Sequence, residues 1–265
     1  YADVVFPACT QIEQIDVVPS WGHLYLGWNH KAIEPLGESV ANTELWRRLS
    51  TACGFTEPEL FETDESLIIS ALHDLDVEQL KTDGFIRLSL PVDLLPYAHG
   101  GFETASGKAM LINHGLPAVG LPALPTYLVG EEMASDPTGQ AEYPLSLMSP
   151  KTHVRFLNST YSHLPHHANP EGEMFCELDL VDATQRGIAD GDRVRVFNQR
   201  GELDVVARVA ANGGRVRPGL VVVPFGWVGD RTKDTKTVNA LTNDLLATYG
   251  GGVSFYDTQV QVEKI

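Results

Sequence analysis

The stretch RGIADGDRVRVFNQRGEL, residues 186–203, carries dense structural instruction. Gly187 can take the positive φ that ends a helix, and Ile188 can fold back as the apolar contact accompanying such a cap. Asp190-Gly191 supplies a tight turn. From Asp192 to Asn198 apolar and charged residues alternate, which predicts Val194 and Val196 inward and Arg193 and Arg195 outward. Gln199-Arg200-Gly201 then reverses the chain into ELDVVARVA, 202–210. A helix must therefore stop beside a strand that opens a hairpin. In β-rich surroundings this implies a small closed barrel, because closure removes exposed edges. Such an architecture does not by itself name a function.

Working outward, CELDLVDATQRG (176–187) holds the short helix, from about Asp182. YPLSLMSP (143–150), VRPGLVVVPFGW (216–227) and VSFYDTQVQVEKI (253–265) read as further strands, with Pro144 at a strand start, where proline is tolerated. Upstream the regularity dissolves. LPAVGLPALPTYLVG (116–130) has prolines at 117, 122 and 125, too close for helix, so 115–142 reads as an extended linker. Before it, YADVVFPA (1–8) reads as a buried strand. GESVANTELWRRLSTACG (37–54) reads as a helix with Leu45, Trp46, Leu49 and Ala52 on one face and Gly54 as its stop. TDESLIISALHDL (63–75) is a second helix, opened by Thr63 and Ser66, with Leu67, Ile68, Ala71 and Leu72 as its apolar face. Thr82-Asp83-Gly84 is a turn. The organisation expected is 1–114 as the remnant of an α/β region, 115–142 as linker and 143–265 as the barrel.

The chain has 265 residues, 43% of them hydrophobic, enough for one large or two ordinary cores. No apolar run approaches the ~20 residues a bilayer span needs, and no signal peptide is visible. The sequence begins at Tyr1 inside a strand-like run, so an internal position of a longer protein is expected. The net charge of −16 is uneven: residues 1–143 carry −15 and residues 144–265 carry −1. An acidic surface disfavours nucleic acid and anionic membranes, and the nearly neutral C-terminal half is the better place for a phosphate-bearing ligand. Cys9, Cys53 and Cys176 form no C-x-x-C pair, which argues against a disulfide framework or a cysteine metal site in this segment and suits a reducing, cytoplasmic setting.

The segment IADGDRVRVFNQRGELDVVARV (188–209) resembles the signature of the molybdopterin-dinucleotide-binding domain of the dimethyl sulfoxide reductase family. YPLSLMSPKTHVRFLNST (143–160), GLVVVPFGW (219–227), VNALTND (238–244) and FYDTQVQVEKI (255–265) are similar to its flanking elements. ADVVFPACTQIEQID (2–16) and FETASGKAMLIN (102–113) are similar to upstream pieces of the same family. SWGHLYLGWNHKAIEPLGES (20–39) stands where many members have N-x-E-G-R, which leaves the substrate class open. The resemblance implies a mixed α/β fragment followed by a mainly β double-psi β-barrel, of the aspartate-decarboxylase-like kind. It implies a bis(molybdopterin guanine dinucleotide) cofactor with Mo or W, and an upstream part of the same chain that would carry the metal's protein ligand and, in some members, a 4Fe-4S cluster. An electron-transfer subunit is a further implied partner.

A dinucleotide tail requires N–H groups, hydroxyls, amides and a cation or two. By resemblance these come from loops at one end of the barrel: Ser149, Lys151 and His153 after the first strand, Asn158, Ser159 and Thr160 in the next loop, Trp227 at a strand end, Asn239 and Thr242 in the N-x-L-T element, and Tyr256 before the last strand. Each has a plainer reading, since Asn158-Ser159-Thr160 suits a turn and Asn239 and Thr242 suit helix capping. His153, His163, His166 and His167 invite a zinc reading, but Pro165 is expected to break any helix that would align them. Tyr249-Gly250-Gly251-Gly252 lacks the Lys-Ser/Thr of a phosphate loop and reads as a turn, and no G-x-S-x-G elbow occurs. Glu13 and Asp16 could form a carboxylate pair, though hydrogen-bonding roles are commoner. Three functions stay open: part of a molybdenum or tungsten oxidoreductase, inactive as this segment alone; a stand-alone binding or assembly module; and a non-redox hydratase relative using the same cofactor.

Overall fold

The computed structural model describes residues 2–91, 93–130, 132–133, 139–152, 157–210, 216–229, 236–247 and 250–265. The chain separates into two compact units, Tyr1–Met110 and Leu111–Ile265.

The first unit holds an antiparallel sheet, β1 (Asp16–Pro19), β2 (Tyr25–Asn29) and β3 (Phe85–Arg87), in that order. Three helices accompany it: α1 (Asn42–Cys53), α2 (Asp64–Ala71) and α3 (Val77–Asp83). The expected stops and caps are present. Gly54 is left-handed after α1, and the Thr63 hydroxyl accepts from the Ser66 N–H at the start of α2. The small core gathers Leu26, Trp28, Ile68, Val77 and Leu80. Three expectations are corrected. Residues 2–7 form no strand. Val4, Val5 and Phe6 are 57–76% exposed, and the segment touches the fold through a single parallel bridge, Ala8 to Val40. Trp46, assigned to the apolar face of α1, is 64% exposed. The Thr82-Asp83-Gly84 turn is the end of α3, which the Asp76 side chain opens by accepting from the Gln79 N–H.

The second unit is built on six strands: β4 (Leu145–Met148), β5 (Phe175–Asp179), β6 (Arg193–Phe197), β7 (Glu202–Ala210), β8 (Leu220–Val222) and β9 (Thr258–Lys264). They close into a barrel in the order β4-β8-β5-β7-β6-β9. Two neighbouring pairs, β4/β8 and β5/β7, are parallel and the rest antiparallel. This mixed-sense closed barrel, preceded by helices and a small sheet, is the expected fold class. Strand alternation fills it: Val194, Val196, Leu203, Val205, Ala207, Val260 and Val262 all point inward and are almost wholly buried. Each of the valine and leucine side chains contributes about 1.5–3 kcal/mol on burial.

The residues 186–203 do what their pattern requires. Helix α4 (Pro165–Glu171) precedes β5, and helix α5 (Leu180–Gln185) follows it. Asp179 caps α5 by accepting from the Val181 N–H at 2.8 Å. Gly187 stops it at φ 63°, and the buried Ile188 donates its N–H back to the Ala183 carbonyl at 2.9 Å. Asp192 accepts from the Ala189 N–H, Gly191 turns at φ 84°, and β6 begins. Its turn into β7 closes where the Asn198 N–H donates to the Gly201 carbonyl at 3.0 Å.

Strand sense then fixes what lies at each end. β4, β6 and β8 run one way; β5, β7 and β9 run the other. One rim therefore receives the ends of β4, β6 and β8 and the starts of β5, β7 and β9. Three connections, β4–β5, β6–β7 and β8–β9, leave from and return to that rim. Among the described residues no helix is long and apolar enough to cross a membrane.

Candidate functional site

A cleft of about 370 Å³ opens at this rim. Its walls come from two of the three connections at this rim, β4–β5 and β8–β9. Ser149 follows β4, Met174 precedes β5, Phe225, Gly226, Trp227 and Val228 follow β8, and Phe255 and Tyr256 precede β9. Ser159 enters from the long loop after β4, and Thr237, Val238 and Asn239 from a short 3-10 turn at Val238–Ala240. The lining is aromatic and aliphatic, with hydroxyls and one side-chain amide among it, the usual composition of a small-molecule pocket. Trp227 is 1% exposed and meets Phe175 edge-on, with ring centroids 6.5 Å apart, so its indole is fixed by packing. Gly226 holds φ 111°, a conformation that side chains rarely adopt, and lets the backbone itself form part of the wall. Leu157, Asn158 and Ser159 are all left-handed, at φ 42°, 55° and 72°. Three consecutive non-glycine residues in that region are uncommon, and each costs backbone strain.

Five of the ten residues expected at the site line this cleft: Ser149, Ser159, Trp227, Asn239 and Tyr256. Lys151 pairs through its backbone with Phe225 and leaves its side chain exposed. Asn158 and Thr160 flank Ser159 and are exposed. The Thr242 hydroxyl turns back to donate to the Asn239 carbonyl at 3.3 Å, a local turn closure. His153 lies outside the described residues, as does Tyr249 of the glycine run. Phe225, Gly226, Thr237 and Phe255 were not anticipated. The run P-F-G-W after an apolar strand was the available signal, since a glycine between aromatics suggests close backbone approach.

The histidine reading is also corrected. Pro165 does not break a helix; it opens α4, where its missing N–H costs nothing, and His166 and His167 lie on that helix. His167 stacks on Tyr161 at 4.9 Å. Among the described residues no group of three His, Cys, Asp or Glu could hold a metal ion. The Glu13 carboxylate accepts from the Thr10 N–H and hydroxyl and from the Leu36 N–H, and these bonds hold its pKa below the usual carboxylate value. It closes a capping box while Asp16 accepts from the Val17 N–H, so each carboxylate serves a local backbone contact.

The hairpin that ends the opening stretch buttresses the cleft. The Asn198 amide donates to the carbonyls of Leu241 (2.8 Å) and Gln259 (3.0 Å), and Arg200 Nε donates to the same Leu241 carbonyl at 2.8 Å. The two loops carrying Asn239 and Tyr256 are thus tied to the β6–β7 turn.

Residues 145–259 match the family described as "Molydopterin dinucleotide binding domain". The protein "Probable oxidoreductase YoaE" of Bacillus subtilis (strain 168) is 37% identical over 273 residues, covering 100% of this chain and 38% of its own length. "Dimethyl sulfoxide reductase DmsA" of Escherichia coli (strain K12) is 28% identical over 300 residues, covering 100% of this chain and 36% of its own length. The chain belongs to the dimethyl sulfoxide reductase family of molybdopterin oxidoreductases. Its similarity to these family members runs through both units, although it spans under two-fifths of their lengths. Acetylene hydratase from Pelobacter acetylenicus superposes with a TM-score of 0.76 over 98% of this chain and 38% of that chain, at 21% identity, which shows the family's fold shared across the segment. The rim cleft lies within the matched dinucleotide-binding domain.

Proposed function

We propose that the rim cleft holds the guanine-nucleotide end of a molybdopterin guanine dinucleotide, and that the chain serves as the cofactor-gripping part of a molybdenum or tungsten oxidoreductase. The observation that carries this reading is the donor set of the cleft. A purine needs flat apolar surface, which the exposed rings of Phe255 and Tyr256 offer above the buried Trp227; the sugar and base edges need hydroxyls and amides, which Ser149, Ser159 and Asn239 offer. Lys151 and the loop 157–160 stand beside it for the pyrophosphate, with His153 as a further expected contact. The bound cofactor would supply two-electron chemistry at its metal, while these residues bind and orient its tail. An upstream part of the parent chain and an electron-transfer subunit are the partners this reading requires. The grip on the nucleotide is common to the oxidoreductase and hydratase readings, so one experiment tests both.

GMP titrated into the 265-residue chain should bind saturably, and Asn239→Ala and Tyr256→Ala should each weaken it by about tenfold, the effect of losing ~1.4 kcal/mol of contact. No saturable binding to the folded wild-type chain would remove the reading.

A further inference from the structure

Glu132 is 7% exposed in a stretch that composition marks as linker. Its Oε1 accepts from Arg200 Nη2 and from the Gln259 N–H, each at 3.0 Å, and its Oε2 accepts from the Asn243 amide at 2.7 Å. The Glu132 N–H donates to Asp257 Oδ2 at 2.6 Å. Asn243 closes the circuit by donating to the Asp257 carbonyl at 2.6 Å. Gly130 runs so close to Asp257 that an added Cβ would collide with the Asp257 carboxylate.

Two of Glu132's partners, Asn243 to its carboxylate and Asp257 to its backbone N–H, are placed by the cleft. Asn243 lies four residues after Asn239, and Asp257 directly follows Tyr256. The lips on which Asn239 and Tyr256 sit are irregular loops, so their backbone groups lack strand partners and must be paired otherwise. Glu132 spans them: its carboxylate accepts from the Asn243 side chain on one lip, from Arg200 of the β6–β7 turn and from the Gln259 N–H on β9, its own N–H donates to Asp257 on the other lip, and Arg200 balances its charge.

We propose that Glu132 is a positioning residue that sets the spacing of the two lips of the nucleotide cleft; this rests on the reading of the cleft given above. The contact is reciprocal: a nucleotide held between the lips also favours the contacts of Glu132 with Asn243 and Asp257. Neither Glu132 nor Arg200 lines the cleft.

The test uses the 265-residue chain with GMP as the probe. Affinity, thermal midpoint and amide exchange are measured on wild type, Glu132→Ala, Glu132→Gln and Val194→Ala. Val194 is fully buried near the end of the barrel opposite the rim and serves as the destabilised control. Glu132→Ala should weaken GMP about tenfold, and Val194→Ala should lower the midpoint with affinity kept within about twofold. GMP should slow exchange of the Glu132 and Gln259 amides in wild type and not in Glu132→Gln. Where Glu132→Ala does not fold, Asn243→Ala and Arg200→Met are read the same way. Wild-type affinity in a folded Glu132 variant, or equal affinity loss in Val194→Ala, overturns the proposal. Absence of GMP binding to wild type overturns the cleft reading itself, and the role of Glu132 with it.

Discussion

Gly201 abuts Ala240 so closely that a Cβ added to the glycine would sit 2.7 Å from the Ala240 carbonyl oxygen. The β6–β7 turn thus packs backbone to backbone against the 3-10 turn that carries Asn239. Neither side has a flexible atom to yield. Gly201→Ala is expected to cost about 1–3 kcal/mol, the usual range for overpacking. Urea denaturation gives the number, and an unchanged midpoint would show that the turns are free to separate.

Leu178 is fully buried in the barrel wall on β5. Leu178→Ala should cost about 2–5 kcal/mol, because the removed atoms lose their burial and the strands around them cannot collapse fully. The same denaturation series measures it. A loss below ~1 kcal/mol would contradict a tightly filled interior.

Burial pushes the Cys176 thiol up to about 12 from an ordinary value of 9.0. The folded chain therefore keeps a proton that the unfolded chain releases above about pH 9. Stability tied to this group is complete below that pH and declines as pH rises toward 12. At pH 8.5 iodoacetamide should label exposed Cys53 and leave Cys176 untouched. Mass spectrometry of the native protein decides this, and rapid native labelling at Cys176 would contradict the packing.

Glu13 shows the opposite sign. Hydrogen bonds from the Thr10 and Leu36 backbones favour its ionised form and hold its pKa down. Its contribution is complete above the ordinary carboxylate range and is lost as pH falls through the depressed value. Between pH 5 and 3 the wild type should lose more stability than Glu13→Gln. Parallel stability curves for the two proteins would sink this prediction.

The 265-residue chain spans 38% of YoaE. Under the proposed function it grips cofactor without the rest of the site, so no turnover with reduced redox dyes is expected. Steady activity from the purified chain would show that the segment carries a complete reaction centre.

Local chemistry was legible in the sequence wherever one short segment contained the whole cause. Gly187, Ile188 and Asp190-Gly191 each act on neighbours within a few residues, and the alternation of Val194 and Val196 needs only a strand. Of the cleft lining, Ser149, Ser159, Trp227, Asn239 and Tyr256 could be named beforehand because they lie in segments that resemble the family's. Glu132 could not. Its bonds reach Asn243 and Gln259 across 111 and 127 residues, and no periodicity encodes a contact of that span. The run YADVVFPA misled for a related reason. β-branched composition suits a strand, but a strand also needs a neighbour, and among the described residues these find only the bridge at Ala8. Helix α3 escaped because seven residues with two buried apolar positions, Val77 and Leu80, are too short to display a period.

The closing strand β9 hydrogen-bonds to β4 on one side and β6 on the other, and it is built from Thr258–Lys264. The cylinder stays open between β4 and β6 until those seven residues arrive. During synthesis the first unit can form while the second waits with two open strand edges, available to any other chain, until translation has passed Lys264. A nonsense codon a dozen codons short of that point would leave an open cylinder of five strands with two sticky edges.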